Sequence, residues 1–342
     1  MKLYDLRSDT ITKPVPAMRK AMAAAEVGDD VYQEDPSVNR LEEMAATLTG
    51  KEKALFVSSG SMGNLIPLFI NAGRGAEVLT HASSHIIQHE VGAMSAIAGA
   101  IPVAVNSARG LLTAAELEPL IKPKAYDLAR TAMIEVENTI GGICYPLAQL
   151  DEIGTLAKQR QLSVHMDGAR LWNASVATGV PVDRIASIAD TVTFCLSKGL
   201  GAPVGSLLCG TEAFIAQARA VRKMIGGGMR QAGILAAAGI FALEHHIERL
   251  AEDHANARKI ALTLQETGWA KLELENVQTN IIFFSVPGFS GQQVEHTLAT
   301  QGILCFGDRE EVRLVTNLDL SVADTESVCS ILRKLTRADF NS

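Results

Sequence analysis

The sequence predicts an α/β protein, a large domain built on a mostly parallel sheet followed by a small C-terminal α+β domain. Three observations carry that expectation. Short β-rich apolar runs alternate with helical patterns through most of the chain, the spacing of a sheet covered by helices on both faces. From about Phe214 to Asn256 the pattern turns helical. Beyond that stretch the texture changes to short strands mixed with helices, which suits a small domain packed on the first. The boundary is expected near residue 250, with residues 1–250 in the large domain, its N-terminal segment reaching the site, and 251–342 in the small one.

The strands of the large domain are read from "KALFV", "AEVLT", "IPVAV", "TAMIEVE", "LSVHMD", "TVTFC" and "GSLLCG", and "GNLIPLFINA" follows the first of them as a helix. "GGGMRQ" (Gly226 to Gln231) interrupts the later helical stretch. In the small domain "NIIFFSV", "ILCF" and "EVRLVT" read as strands, and "SGQQVEHTLATQG" and "DTESVCSILRKL" as helices. No repeat or low-complexity segment is evident.

Composition narrows the function. The 342 residues can bury a sizeable core, and 47% of them are hydrophobic. With 38 acidic against 31 basic residues the net charge is -7, which argues against nucleic acid and for small-molecule partners. Five cysteines, odd in number and without metal-ligand spacing, point to reduced thiols and a cytoplasmic protein. The polar opening "KLYDLRSDT" has no apolar leader and the longest apolar helical run, "ILAAAGIFAL", is too short to span a bilayer, so neither export nor a membrane anchor is expected.

In open α/β sheets ligands bind beyond the carboxyl ends of the strands, and four places there carry chemistry. In "SSGSMGN" (Ser58 to Asn64) a strand ends in small residues and a helix begins, so that Ser59, Gly60 and Ser61 can offer backbone N–H groups to a phosphate. An ordinary serine-capped turn accounts for the same letters. In "HMDGAR", Asp167 ends a strand and can hold a positive ligand atom, while Arg170 can grip a carboxylate. The plain alternative is that the two pair with each other. Lys198 follows "TVTFC" among Gly199, Gly201, Pro203 and Gly205, where little bulk blocks its amine from forming a Schiff base with a carbonyl, although most lysines are simply solvated. His81, His85 and His89 recur every four residues in "THASSHIIQHE". A metal set is disfavoured because the segment begins as strand end and turn, and a ring over a flat cofactor or a general acid/base suits His85 better.

Together these features ask for one ligand that carries a phosphate, a carbonyl, a basic ring nitrogen and a flat ring, which is pyridoxal 5'-phosphate (PLP). Its ring acts as an electron sink when an aspartate keeps the ring nitrogen protonated. The order of phosphate turn, aspartate and lysine resembles the aspartate-aminotransferase-like PLP enzymes of fold type I. More closely, "DLRSDT", "GDDVY", "HMDGARLWNA", "CLSKGLGAPVGS" and "RKMIGGGMRQAGILAAAG" resemble the low-specificity L-threonine aldolases of the β-eliminating lyase group.

That resemblance implies a PLP-dependent aldehyde-lyase that cleaves L-threonine, L-allo-threonine and related β-hydroxy-α-amino acids to glycine and an aldehyde. It implies that Lys198 links to the cofactor, Asp167 pairs with the ring nitrogen and His85 stacks on the ring. Gly60 and Ser61 fall at the phosphate, and Ser8, Arg170 and Arg313 around the substrate carboxylate. Lys223 and Arg230 lie near the site, Tyr32 reaches in from a neighbouring subunit, and a homotetramer, or at least a dimer with shared active sites, is expected. The base that takes the β-hydroxyl proton could be His85, a bound water or Lys198.

Four positions depart from the family pattern: Asp127 in "AYDLAR", Ile140 in "ENTIGG", Asn317 in "RLVTN", and His89 where an aromatic is frequent. All four are expected near the pocket for the substrate side chain. They leave open a related PLP lyase or aldolase acting on another β-substituted amino acid. A PLP-fold regulator is disfavoured, since the chain has no spare basic helix-turn-helix.

Overall fold

The computed structural model describes residues 2–341. The N-terminal strand β1 (Tyr4–Asp5) stands apart from the main sheet. That sheet holds β2 (Lys53–Val57), β3 (Glu77–His81), β4 (Ile101–Val105), β5 (Thr131–Glu137), β6 (Ser163–Asp167), β7 (Thr191–Cys195) and β8 (Ser206–Gly210), in the order β2-β8-β7-β6-β5-β3-β4. Every one of the seven apolar runs in the first part of the sequence is a strand here. Only β8 runs antiparallel, to both β2 and β7, and the other neighbours are parallel. β7 and β8 are buried along their whole length, as continuous apolar strands covered on both faces should be.

Local signals start and stop the covering helices. Helix Pro36–Thr49 begins with proline in its first turn, and the Asp35 side chain accepts the N–H groups of Ser37 and Val38. It stops at Gly50, whose φ of 65° favours a residue without Cβ. Helix Gly60–Pro67 lies so close to β7 that a Cβ on Gly63 would come within 2.5 Å of Thr193. That approach brings the helix over the carboxyl ends of the central strands.

From the helix Leu250–Thr267 onward the chain builds a second hydrophobic core around Ile260, Leu264, Trp269, Ile282, Leu314 and Leu332. Its strands are β9 (Ile281–Phe284), β10 (Ile303–Leu304), β11 (Phe306–Asp308) and β12 (Glu311–Val315), with β12 antiparallel to β9 and β11. The N-terminal segment belongs structurally to this unit. β1 pairs in parallel with β10, the Leu6 N–H donates to Leu304 O, and the Val315 N–H donates to Leu6 O. The first strand, expected with residues 1–250, thus makes its two short pairings with chain more than 290 residues away. The consequence is functional, since Ser8 and Asp9 emerge at the junction of the two units. All five cysteines are free and buried, and among the described residues no helix is long and apolar enough to cross a membrane.

Candidate active site

The carboxyl ends of β5 and β6 deliver Glu137 and Asp167, and the loop after β7 delivers Lys198, to one cavity of about 660 Å³. His85, His89, Arg170 and Ile140 line it from the large unit, and Phe283 and Arg313 close it from the small one. The loop bearing Lys198 is tied by its own backbone. The Gly201 N–H donates to Lys198 O, the Ala202 N–H to Leu196 O, and the Leu196 N–H to Gly205 O. Gly201 adopts φ 73° there, and a Cβ on Gly199 would sit 2.8 Å from the Leu250 side chain. The glycines around the lysine thus serve a tight loop as well as access.

Asp167 is 2% exposed and both its oxygens are engaged. Oδ1 accepts the Ala169 N–H at 2.9 Å, and Oδ2 accepts Asn64 Nδ2 at 2.7 Å. Asn64 Nδ2 also donates to Glu90 Oε1 at 2.9 Å, and its Oδ1 lies 3.1 Å from His165 Nε2. Burial lowers the His165 imidazole to about 4, so the ring is neutral near pH 7. With Asn64 Oδ1 able only to accept, the hydrogen of His165 is on Nε2, and Nδ1 accepts from the Thr191 hydroxyl at 2.9 Å.

Beside this chain, His85 begins the short helix His85–Gln88. Its backbone N–H donates to Glu137 Oε2 at 2.8 Å and its ring Nδ1 contacts Glu90 Oε1 at 2.8 Å. The Glu90 contact raises His85 above the ordinary histidine value against the opposing effect of burial. Glu137 is pushed up to about 7, first by burial and then by the charge of Asp167. Burial and the charge of His85 lower His89, whose ring centre is 5.5 Å from that of His85.

Arg170 pairs with Asp9 and not with Asp167. Its Nε and Nη2 donate to the two Asp9 oxygens at 2.8 and 2.7 Å, and Asn280 Nδ2 adds a third bond to Asp9 at 3.0 Å. Burial works to raise the Asp9 carboxyl, but the charge and hydrogen bonds of Arg170 outweigh it and hold it low. Arg313 shares the neighbourhood, its Nε buried without a partner and its Nη2 donating to Arg7 O. Two guanidinium groups against one aspartate leave a positive charge, the complement of a substrate carboxylate. Because Asp9 neutralises a largely buried Arg170, Asp9→Asn is expected to cost about 3–5 kcal/mol in urea unfolding.

The remaining residues expected at the site lie outside the cavity lining of their own chain. Ser59 caps helix Gly60–Pro67 by accepting the Met62 N–H, which leaves the first N–H groups, those of Gly60 and Ser61, without a partner in the helix. A Cβ on Gly60 would meet Cys195 Sγ at 2.9 Å, so the turn is pressed against the end of β7. Asn64, which touches Asp167, is about one helical turn, ~5 Å, further along. Ser8 caps a short turn by accepting the Thr10 N–H, directly before Asp9. Lys223 packs along Gly228, Arg230 pairs with Asp29 at 3.0 Å, and Tyr32 is 71% exposed. None of these three lines the cavity of its own chain.

Of the four departures, Ile140 and His89 line the cavity and Asp127 and Asn317 do not. Asp127 lies in an exposed loop before β5, on the far side of a strand about 20 Å long from Glu137. Asn317 is buried and spends its Nδ2 on the carbonyls of Asp5 and Val315. Of the four positions expected around the substrate side chain, two thus meet the cavity of their own chain. The residues that sequence reasoning passed over are Asp9, Glu90, Glu137 and His165. Glu137 was open to the rule that selected Asp167, since it too ends an apolar strand run.

The donor set fits PLP: a buried carboxylate, an amine and an imidazole share one cavity, next to a helix start whose first glycine leaves no room for a side chain. The sequence profile of the β-eliminating lyases matches residues 5–287. The chain belongs to the β-eliminating lyase family. Within it, low-specificity L-threonine aldolase 1 of Arabidopsis thaliana is 41% identical over 345 residues, covering 98% of this chain and 96% of that protein. The low specificity L-threonine aldolase of Escherichia coli (strain K12) is 42% identical over 320 residues, covering 93% and 95%. Among solved structures, a threonine aldolase of Leishmania major superposes with a TM-score of 0.85 at 20% identity, covering 97% of this chain and 99% of that one. At that identity the likeness shows the fold, which is the α/β fold of these lyases.

Proposed function

We propose that this β-eliminating lyase is a PLP-dependent aldehyde-lyase that cleaves L-threonine, L-allo-threonine and related β-hydroxy-α-amino acids to glycine and an aldehyde. The observation that carries the reading is the meeting of Lys198, Asp167 and His85 with two guanidinium groups in one cavity. Bound PLP supplies an electron sink for the pair released when the Cα–Cβ bond breaks. Lys198 would provide the amine that attaches it, Asp167 the carboxylate for its ring nitrogen, His85 a ring to pack on it, and Ser59, Gly60 and Ser61 the donors for its phosphate. Arg170, fixed by Asp9, and Arg313 would hold the substrate carboxylate and so orient the bond to be broken.

Lys223, Arg230 and Tyr32 are exposed and lie outside the cavity lining of their own chain, which supports a homo-oligomer, a tetramer on the family resemblance, in which they serve the site of another subunit. Five unpaired cysteines suit a reducing cytoplasm. The test is glycine release by the purified holoenzyme from L-threonine, L-allo-threonine and L-phenylserine. Ile140 offers the β-hydroxyl no hydrogen bond, so kcat/KM for the first two substrates should differ by less than about tenfold. Release of a keto acid in place of glycine would assign the chain to another lyase reaction.

A further inference from the structure

Glu90 holds the one hydrogen bond that decides what His85 can do. Glu90 is 5% exposed, and its Oε1 receives both Asn64 Nδ2 and the imidazole Nδ1. The Asn64 amide cannot turn round without cost, because two acids, Glu90 and Asp167, accept from its Nδ2. A turned amide would point its oxygen at both. Every donor in the run Thr191, His165, Asn64 therefore points toward the acids, and such chains polarise in one direction. His85 approaches the same oxygen from the cavity side, so its Nδ1 must carry hydrogen and Nε2 is left as the free edge of the ring.

The chain turns sharply directly after Glu90. Val91, immediately after Glu90, has φ 54° and is 98% exposed, and Gly92 follows at φ 71°. A β-branched residue in the left-handed region is strained, and the exposed side chain gains no packing in return within the chain.

We propose that Glu90 is a positioning residue that fixes His85 with hydrogen on Nδ1 and presents Nε2 to the substrate as the base for the β-hydroxyl proton. This rests on the aldol reading above for the identity of the substrate. In the step, the β-oxygen gives its proton to Nε2, the O–H bond breaking as the N–H bond forms, and Glu90 balances the imidazolium that results. The other groups facing His85 are Glu137 at its backbone N–H, Asp167, Lys198 and His89. Of these only Glu90 bonds the ring, and its hydrogen bond is the largest influence raising the His85 imidazole.

The experiment follows the His85 imidazole by NMR in 15N-histidine-labelled holoenzyme, the signal being assigned by its loss in His85→Asn, alongside the pH dependence of kcat. Glu90→Gln keeps an acceptor for Nδ1 and removes the charge. It should lower the His85 midpoint by about one pH unit or more, move the acid limb of kcat down with it, and leave KM within about twofold, since only the proton transfer is touched. Glu90→Asp should restore part of the shift, and it serves as the reading should the glutamine variant fail to fold. An unchanged His85 midpoint in the folded variants would overturn the proposal even if wild type releases glycine. A midpoint that moves in a protein releasing no glycine would support the Glu90 contact and remove the aldol reading alone.

Discussion

Lys198→Ala is expected to purify as a folded protein that lacks the yellow colour of the holoenzyme and releases glycine no faster than PLP alone in buffer. The loop owes its shape to backbone bonds that alanine retains: Gly201 N–H to Lys198 O, and the pairings that join Leu196 to Ala202 and Gly205. Among the described residues the Lys198 amine makes no hydrogen bond or ion pair, so its removal should change the unfolding free energy by less than about 1 kcal/mol. The fold and the chemistry are thereby separable. Circular dichroism and thermal melting should match PLP-free wild type, since bound cofactor itself stabilises the fold, while the visible spectrum and the turnover are lost together. Lys223, the other lysine carried by a conspicuous motif, lies along Gly228 outside the cavity and cannot substitute. A coloured variant with undiminished turnover would show that the cofactor is attached elsewhere.

The fold was legible because its signals are local. Seven apolar runs of five to seven residues, each followed by a polar or glycine-containing turn, mark the strands of the main sheet, and β7 and β8 are buried in the structure as continuous apolar runs should be. Asp167 and Lys198 were legible for a related reason, since each ends or follows such a run and ligand sites lie at those ends. The contacts that set the behaviour of these residues were not legible, because they join distant parts of the chain. Asp9 meets Arg170 from a segment tied to the small unit, and Asn64 reaches Asp167 and His165 from another helix. The pairing of β1 with β10 involves two residues, too few to leave a periodicity. Resemblance could place Asp127 and Asn317 by motif, yet it could not show that one faces solvent before β5 and the other is locked to backbone carbonyls. Glu90 left no trace at all, as a glutamate between a histidine and a valine reads as surface, and only its contacts with Asn64 and His85 show otherwise.

Asp167→Asn tests the opposite end of the ring from Lys198, and two effects of different size should appear. The first is catalytic. A neutral amide no longer holds a proton on the ring nitrogen, and the loss of an opposite charge at contact shifts such an equilibrium by one to three pH units, so kcat should fall about 10- to 1000-fold. The second is structural and smaller. Asp167 accepts at both oxygens, from Ala169 N–H and from Asn64 Nδ2, and an asparagine must turn its NH2 toward one of these donors. Asn64 cannot relieve the clash by flipping, since its oxygen would then face Glu90 and its amide the Nε2 hydrogen of His165. One buried donor is left without an acceptor, which costs about 1–3 kcal/mol. The two effects are told apart by measuring kcat at saturating PLP and urea unfolding on the same preparation. Loss of stability with full kcat would make Asp167 a support for Asn64 only, whereas a fall in kcat beyond any loss of bound cofactor would show that its charge acts on the ring.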